Sequence, residues 1–166
     1  MIVVSDSTPL ISLMKAGQLS VLEGLYREIL VPDAVFRELT SNPKYAEEAD
    51  LIRTSAFIKT VEVREEKAVD VLQRVTGLDR GESEAIIFAD ENKAHILLMD
   101  EEAGRRVARA MGLHIQGTIG VLLRAYDEAL LSADQVMEAL DRLRGARRHI
   151  SEKMYGYAAE YVRRQA

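Results

Sequence analysis

The chain has no cysteine and no tryptophan, three prolines, and only three Phe and six Tyr in 166 residues. Without thiols it has no disulfide framework, thiolate metal site or cysteine nucleophile, which excludes zinc fingers and fits a reducing compartment. An aromatic content of 5% argues against a surface that binds single strands by stacking their bases. No apolar run approaches the roughly 20 residues of a membrane span, and the opening MIVVSDS meets a charge at Asp6. Neither a signal peptide nor membrane contact is expected, and the reading is a cytoplasmic protein. The first turn after IVV has no glycine, which removes dinucleotide binding of the Rossmann kind. A haloacid-type phosphatase needs Asp-x-Asp where this chain has Asp6-Ser7-Thr8. A receiver-type phosphoacceptor expects adjacent acids after the first strand, where this chain has one.

What is present is an aliphatic interior and an uneven charge. Hydrophobic residues make up 48%, enough for one domain spanning 1–166 that buries about 70% of its unfolded surface. The net charge of -5 divides into +5 over residues 142–166 and -10 over the rest. That split suggests a basic C-terminal helical arm on an acidic body, suited to a phosphate backbone or an acidic partner. A solvated helix with excess arginine fits equally well. Within the arm, Arg144, Arg147 and Arg148 are the candidates for nucleic-acid contact.

Strand and helix signals alternate. IVVSD reads as a buried strand ending at Asp6, with Ser7 or Thr8 capping a helix that carries Pro9 in its first turn. A second strand over 28–31 precedes a helix opened by Pro32. Residues 41–56 read as a polar, partly helical excursion and 58–63 as an edge strand. Further helices are expected over 66–75, 82–92, 101–111, from Thr118, and over 133–143 and 151–163, with short strands at 95–99 and Ile115. This alternation predicts an α/β fold of three layers, a mainly parallel sheet with helices on both faces. Ligands of such sheets sit at strand carboxyl ends near a topological switch point.

Four acids occupy strand-to-helix or helix positions next to apolar runs: Asp6, Glu38, Glu82 and Asp100. Asp6 and Asp100 each follow such a run, IVVS and ILLM. On neighbouring strands they would lie about 5 Å apart and repel unless protonated or bridged by a cation. One alone reads first as a helix cap; two in one parallel sheet bring the functional reading level with it. Glu82 starts the stripe Glu82, Ala85, Ile86, Ala89, so it opens a buried face, with Glu84 as second choice. Glu38, flanked by Arg37 and Thr40, reads equally as a surface residue. Arg105 and Arg106 are expected to pair with excess acids, Thr118 to cap its helix, and His95, His114 and His149 to be structural.

In order and spacing, VSDSTPLISL, VPDAVFREL, GESEAIIFA and ILLMDEEAGRRVA resemble the PIN domain, a fold of metal-dependent nucleases that includes toxin ribonucleases of toxin–antitoxin pairs. The match runs from residue 1 to about 128. GESEAI and the ending GTIGVLL resemble a poorly characterised branch. Leu98-Met99-Asp100 departs from the usual Thr-x-Asp, and a further acid falls on Glu101 or Glu102. The resemblance implies that Asp6, Glu38, Glu82 and Asp100 are catalytic and hold one or two Mg²⁺ or Mn²⁺ ions, which would activate water with no His or Lys base. It further implies an RNA substrate, a small antitoxin covering the acidic cleft, and a homodimer. The rival expectation is a PIN-like module that binds nucleic acid or protein without turnover.

Overall fold

The computed structural model describes residues 1–148 and 150–166, so His149 and the expectation for it lie outside the described residues. Five short strands form one parallel sheet: β1 (Val3–Ser5), β2 (Ile29–Pro32), β3 (Ile58–Val61), β4 (Ile96–Leu98) and β5 (Ile115–Gln116), in the order β3-β2-β1-β4-β5. Parallel neighbours need crossovers, and helices supply every one. α1 (Ser7–Lys15) and α2 (Val21–Tyr26) join β1 to β2. α3 (Asp33–Ser41), a 3-10 turn at Pro43–Tyr45 and α4 (Ala46–Thr54) lead to β3. α5 (Glu66–Thr76) and α6 (Arg80–Glu91) lead to β4, and α7 (Glu102–Ala110) to β5. α8 (Thr118–Asp127), α9 (Ala133–Gly145) and α10 (Glu152–Gln165) follow.

The pleat sorts the β1 and β4 side chains into two apolar layers, one on each face of the sheet. Val3 and Leu98 join Ile29 and Val31 in a core with α1, α8, α9 and α10 residues such as Leu10, Leu122, Leu140 and Val162. Val4, Leu97 and Met99 point the other way, onto Ala85, Ile86 and Ala89 of α6 and Ala108 of α7. The three-layer expectation is therefore met. Among the described residues, no helix is long and apolar enough to cross a membrane.

Strand order fixes where a ligand would sit. From β1 the chain moves outward to β2 and β3, then returns to lay β4 on the other side of β1, so the switch point lies between β1 and β4. Ser5 pairs with Leu98 in register, and the Asp6 N–H donates to the Leu98 carbonyl at 3.0 Å, one residue beyond the strand. That bond holds the Asp6 backbone at the carboxyl end of both strands.

Two local expectations need correction. Pro32 ends β2 instead of opening α3: its ψ of 152° is extended, it pairs with Val61, and Asp33 becomes the first helical residue. A proline at the last strand position leaves out only a terminal ladder donor, so the sheet tolerates it there. Neither Ser7 nor Thr8 caps α1; Asp6 holds the N-cap position, with no side-chain cap bond. Glycine acts at another helix end: Gly77 closes α5 at φ +75°, in the left-handed region that non-glycine residues avoid.

Candidate active site

Asp6 is the most buried acid of the chain, 2% exposed. Burial pushes its carboxyl well above the ordinary carboxylate range; the Ser7 backbone N–H opposes the shift, while the charges of Glu82, Asp79 and Glu38 add to it. Three other acids therefore face Asp6. Glu38 reaches it from α3 and is itself raised, by burial and then by Asp79, against the Ser7 hydroxyl and Lys44. Glu82, from α6, is raised by burial and by Asp79, Glu101 and Glu38, against the Asp79 backbone N–H. Asp6 is buried, Glu38 and Glu82 are half-buried, and each has neighbouring negative charge.

The start of α6 explains how Glu82 is aimed. Asp79 Oδ1 accepts from the Glu82 N–H at 2.8 Å, and Glu82 Oε2 accepts from the Asp79 N–H at 3.1 Å, a reciprocal capping box. Glu84, the second choice, is occupied otherwise: it is buried, accepts from the Ala34 N–H at the start of α3 and from Arg80 Nε, both at 2.9 Å, and so ties α6 to α3. The stripe from Glu82 through Ala85, Ile86 and Ala89 faces inward as its spacing indicates.

Asp100 stands beside this group with its carboxylate turned elsewhere. Its Oδ1 accepts from the Thr118 N–H at 2.7 Å and its Oδ2 from the Thr118 hydroxyl at 2.6 Å. Thr118 begins α8, and the N-cap residue before it is Gly117, which has no side chain to cap with. Asp100 therefore caps α8 from 18 residues away, in place of the cap role expected of Thr118. The repulsion expected between Asp6 and Asp100 gives way to repulsion among Asp6, Glu38, Glu82 and Asp79. Arg105 donates to the Met99 carbonyl at 2.8 Å and not to an acid, which corrects the pairing expected of it.

Three glycines lie against four of these acids. A Cβ built on Gly81 would lie 3.4 Å from Glu38 Oε2 and 3.6 Å from Asp79 Oδ1. One on Gly104 would lie 3.5 Å from Glu82 Oε1, and one on Gly117 2.9 Å from Asp100 Oδ1. Only at Gly117 would a Cβ be too close to a carboxylate oxygen; at Gly81 and Gly104 it would reach ordinary contact.

A groove of about 960 Å³ runs from Asp100, Glu101 and Thr8 along α7 and α8 to the segment between α9 and α10. Of the three arginines singled out in the basic arm, two line it. Arg148 donates to Ser12 Oγ at 3.1 Å and to the Thr8 carbonyl at 3.5 Å, and Arg147 holds a left-handed φ of 56°. Arg144 lies outside, paired with Glu152 at 3.0 Å and stacked 4.3 Å from the Tyr155 ring. His95 is structural, its Nδ1 accepting from the Ile2 N–H at 2.9 Å, and the His114 carbonyl serves the β4–β5 ladder.

A family model described as a PIN domain matches residues 2–163. The chain belongs to the PIN-domain family. No curated protein and no solved structure matches it. PIN domains are in general nucleases, so the fold is of nuclease type. The PIN assignment bears on the donor set: hard carboxylate oxygens, destabilised as anions by burial and by one another, suit a hard divalent cation. Among the described residues no three Asp, Glu or His side chains already close around one point as a preformed cage.

The motif reading missed Asp79, which bears on Asp6, Glu38 and Glu82 alike. The signal was available, since Asp79 stands three residues before Glu82 in the D-x-x-E spacing of a capping box. Of the two acids left open after Asp100, Glu101 is the one that acts on Glu82.

Proposed function

We propose that this chain, acting over 1–166 as a single PIN-like unit, is a metal-dependent endoribonuclease, the toxin of a toxin–antitoxin pair. Asp6, Glu38, Glu82 and Asp100 would hold one or two Mg²⁺ or Mn²⁺ ions. The observation that carries this reading is the gathering of Asp6, Glu38 and Glu82, each with its carboxyl raised, at the switch point of the sheet. Carboxyls held in this state cost the metal-free protein stability as anions, and a cation that neutralises them recovers it.

When bound, the cation supplies a Lewis acid for the phosphoryl oxygens and lowers the pKa of the attacking water. The chain's own residues do the rest. The Asp6 backbone is held by the Leu98 carbonyl and the sheet register and Glu82 by its capping box, so both are oriented before substrate arrives, while Asp100 would have to share its oxygens with Thr118. Arg147 and Arg148 in the groove offer positive charge to a phosphate backbone within reach of Asp100 and Glu101. An antitoxin covering the groove and a homodimer complete the reading.

The test is cleavage of RNA with Mn²⁺, with Mg²⁺ and with EDTA, alongside Asp6→Asn. Cleavage by the wild type that needs metal and disappears in the variant supports the reading; equal cleavage by both refutes it. A second reading, a PIN-like binding module without turnover, draws on the carboxylates that hydrogen bonds already engage at Glu82 and Asp100. It is favoured if RNA binds and no metal produces cleavage.

A further inference from the structure

Asp6, Glu38 and Glu82 repel one another, so the helices that carry the two glutamates need a tie that holds them together in the metal-free protein. Glu38 rides on α3 and Glu82 on α6, and the two helices pack against each other. They meet at Gly81, where an added Cβ would lie 3.3 Å from Val35 Cγ2 and 3.4 Å from Glu38 Oε2. Among the described residues one side-chain hydrogen bond joins them: the Ala34 N–H donates to Glu84 Oε2 at 2.9 Å. Ala34 lies in the first turn of α3, whose N-cap residue Pro32 makes no side-chain cap bond, so its N–H has no partner within the helix. Glu38 stands one turn further along the same face of α3. The Glu84 side chain is 8% exposed, and its other oxygen accepts from Arg80 Nε at 2.9 Å. Arg80 Nη1 donates in turn to Asp70 of α5 at 2.7 Å.

We propose that Glu84 is a positioning residue for the acid site: its bond to the Ala34 N–H clamps α3 against α6 and sets how far Glu38 stands from Asp6 and Glu82. The inference rests on the metal reading, in which Glu84 supplies no ligand and acts through Glu38. Charge and direction separate the two roles. Both Glu84 oxygens are taken by donors, one of them a guanidinium that neutralises the carboxylate, so little negative charge is left for a cation. Residues two apart on a helix do not share a face, so Glu82 can serve the acids while Glu84 serves the start of α3.

The experiment is Mn²⁺ binding, read by electron paramagnetic resonance of the free ion, at a temperature where every variant is folded. Glu84→Ala should weaken Mn²⁺ binding about tenfold, as loss of a residue that orients a ligand does. Glu84→Gln, which keeps an oxygen for the Ala34 N–H while Arg80 retains Asp70, should restore most of the affinity. Leu140→Ala, a core truncation in α9 that also lowers stability, should bind Mn²⁺ as the wild type does. Should Glu84→Ala fail to fold, Glu84→Asp, one methylene short of the Ala34 N–H, is read in its place. Wild-type affinity in the Glu84 variant, or an equal loss in Leu140→Ala, overturns the proposal and leaves the metal reading standing. If the wild type binds no Mn²⁺, the metal reading falls and the clamp is judged in EDTA by a double-mutant cycle. Glu38→Gln should then raise Tm in the wild type, by relieving repulsion, and raise it less in Glu84→Ala, where α3 has already moved away. Equal gains in both backgrounds overturn the clamp.

Discussion

Replacing Asp6 or Asp100 by asparagine removes one negative charge from the same end of the sheet, yet the structure predicts opposite effects on the metal-free protein. Asp100 accepts two short bonds from Thr118, at 2.7 and 2.6 Å, on the N-terminus of α8. Hydrogen bonds to a charged acceptor contribute about 1.5–3 kcal/mol against about 1 for a neutral one, so neutralising the pair loses about 1 kcal/mol per bond. The α8 dipole adds about 0.5 kcal/mol. Half-burial of Asp100 moderates the sum, and Asp100→Asn should cost about 2 kcal/mol, lowering Tm by about 4–8 °C in a chain of this length. Asp6 is the reverse case. It is penalised by burial and by three like charges, with one backbone N–H in its favour, so Asp6→Asn should leave Tm unchanged or raise it. Scanning calorimetry of both variants in EDTA at neutral pH reads the signs directly. A double-mutant cycle with Thr118→Val assigns the Asp100 loss to this contact. If Asp100→Asn is as stable as the wild type, the carboxylate does not cap α8 and the reasoning fails.

Three further outcomes follow from the same geometry. The carboxyls of Asp6, Glu38 and Glu82 are raised on folding, so above the ordinary carboxylate range the native state binds more protons than the unfolded chain; metal-free stability is fullest below that range and falls as pH rises through the raised values. Urea unfolding from that range upward should show the decline, and Asp6→Asn should flatten it; a profile that rises with pH contradicts the shifts. Mn²⁺ at about a hundred times its Kd should stabilise the wild type by about 2.7 kcal/mol and Asp6→Asn by far less, read as Tm against metal concentration. Gly104→Ala would place a Cβ 2.6 Å from Met99 Sδ, and because Met99 is fully buried the overpacking should cost about 1–3 kcal/mol in urea unfolding.

Most of the fold was legible because its signals are local. β-branched runs at β1 and β2, alternation at β3 and helical stripes at α5 and α6 each report a buried face, and parallel order follows once helices separate every pair of strands. Pro32 was misplaced because a proline before an acid reads as a helix start, while its partner across the sheet, Val61, lies 29 residues away and leaves no local trace. The same limit applies to Asp100 and Thr118. Local sequence offers each as a helix cap in its own right; that one caps the other depends on β4 and β5 lying side by side.

The acids were singled out from position, and the glycines that lie against them carried no such meaning in the sequence. Gly81, Gly104 and Gly117 have φ values that any residue adopts, so no turn requires them. Their role is close approach. Gly81 precedes Glu82 yet backs Glu38, Gly104 lies on α7 yet backs Glu82, and Gly117 precedes Thr118 yet backs Asp100. Each glycine serves a carboxylate from a different element, which is why motif reading passes over it. At Gly117 an added Cβ would lie 2.9 Å from both Asp100 Oδ1 and Arg105 Nη1, so Gly117→Ala presses on a carboxylate while keeping every acid of the motif. It should lose the arrangement first, seen as weaker Mn²⁺ stabilisation at a site whose residues are all still present.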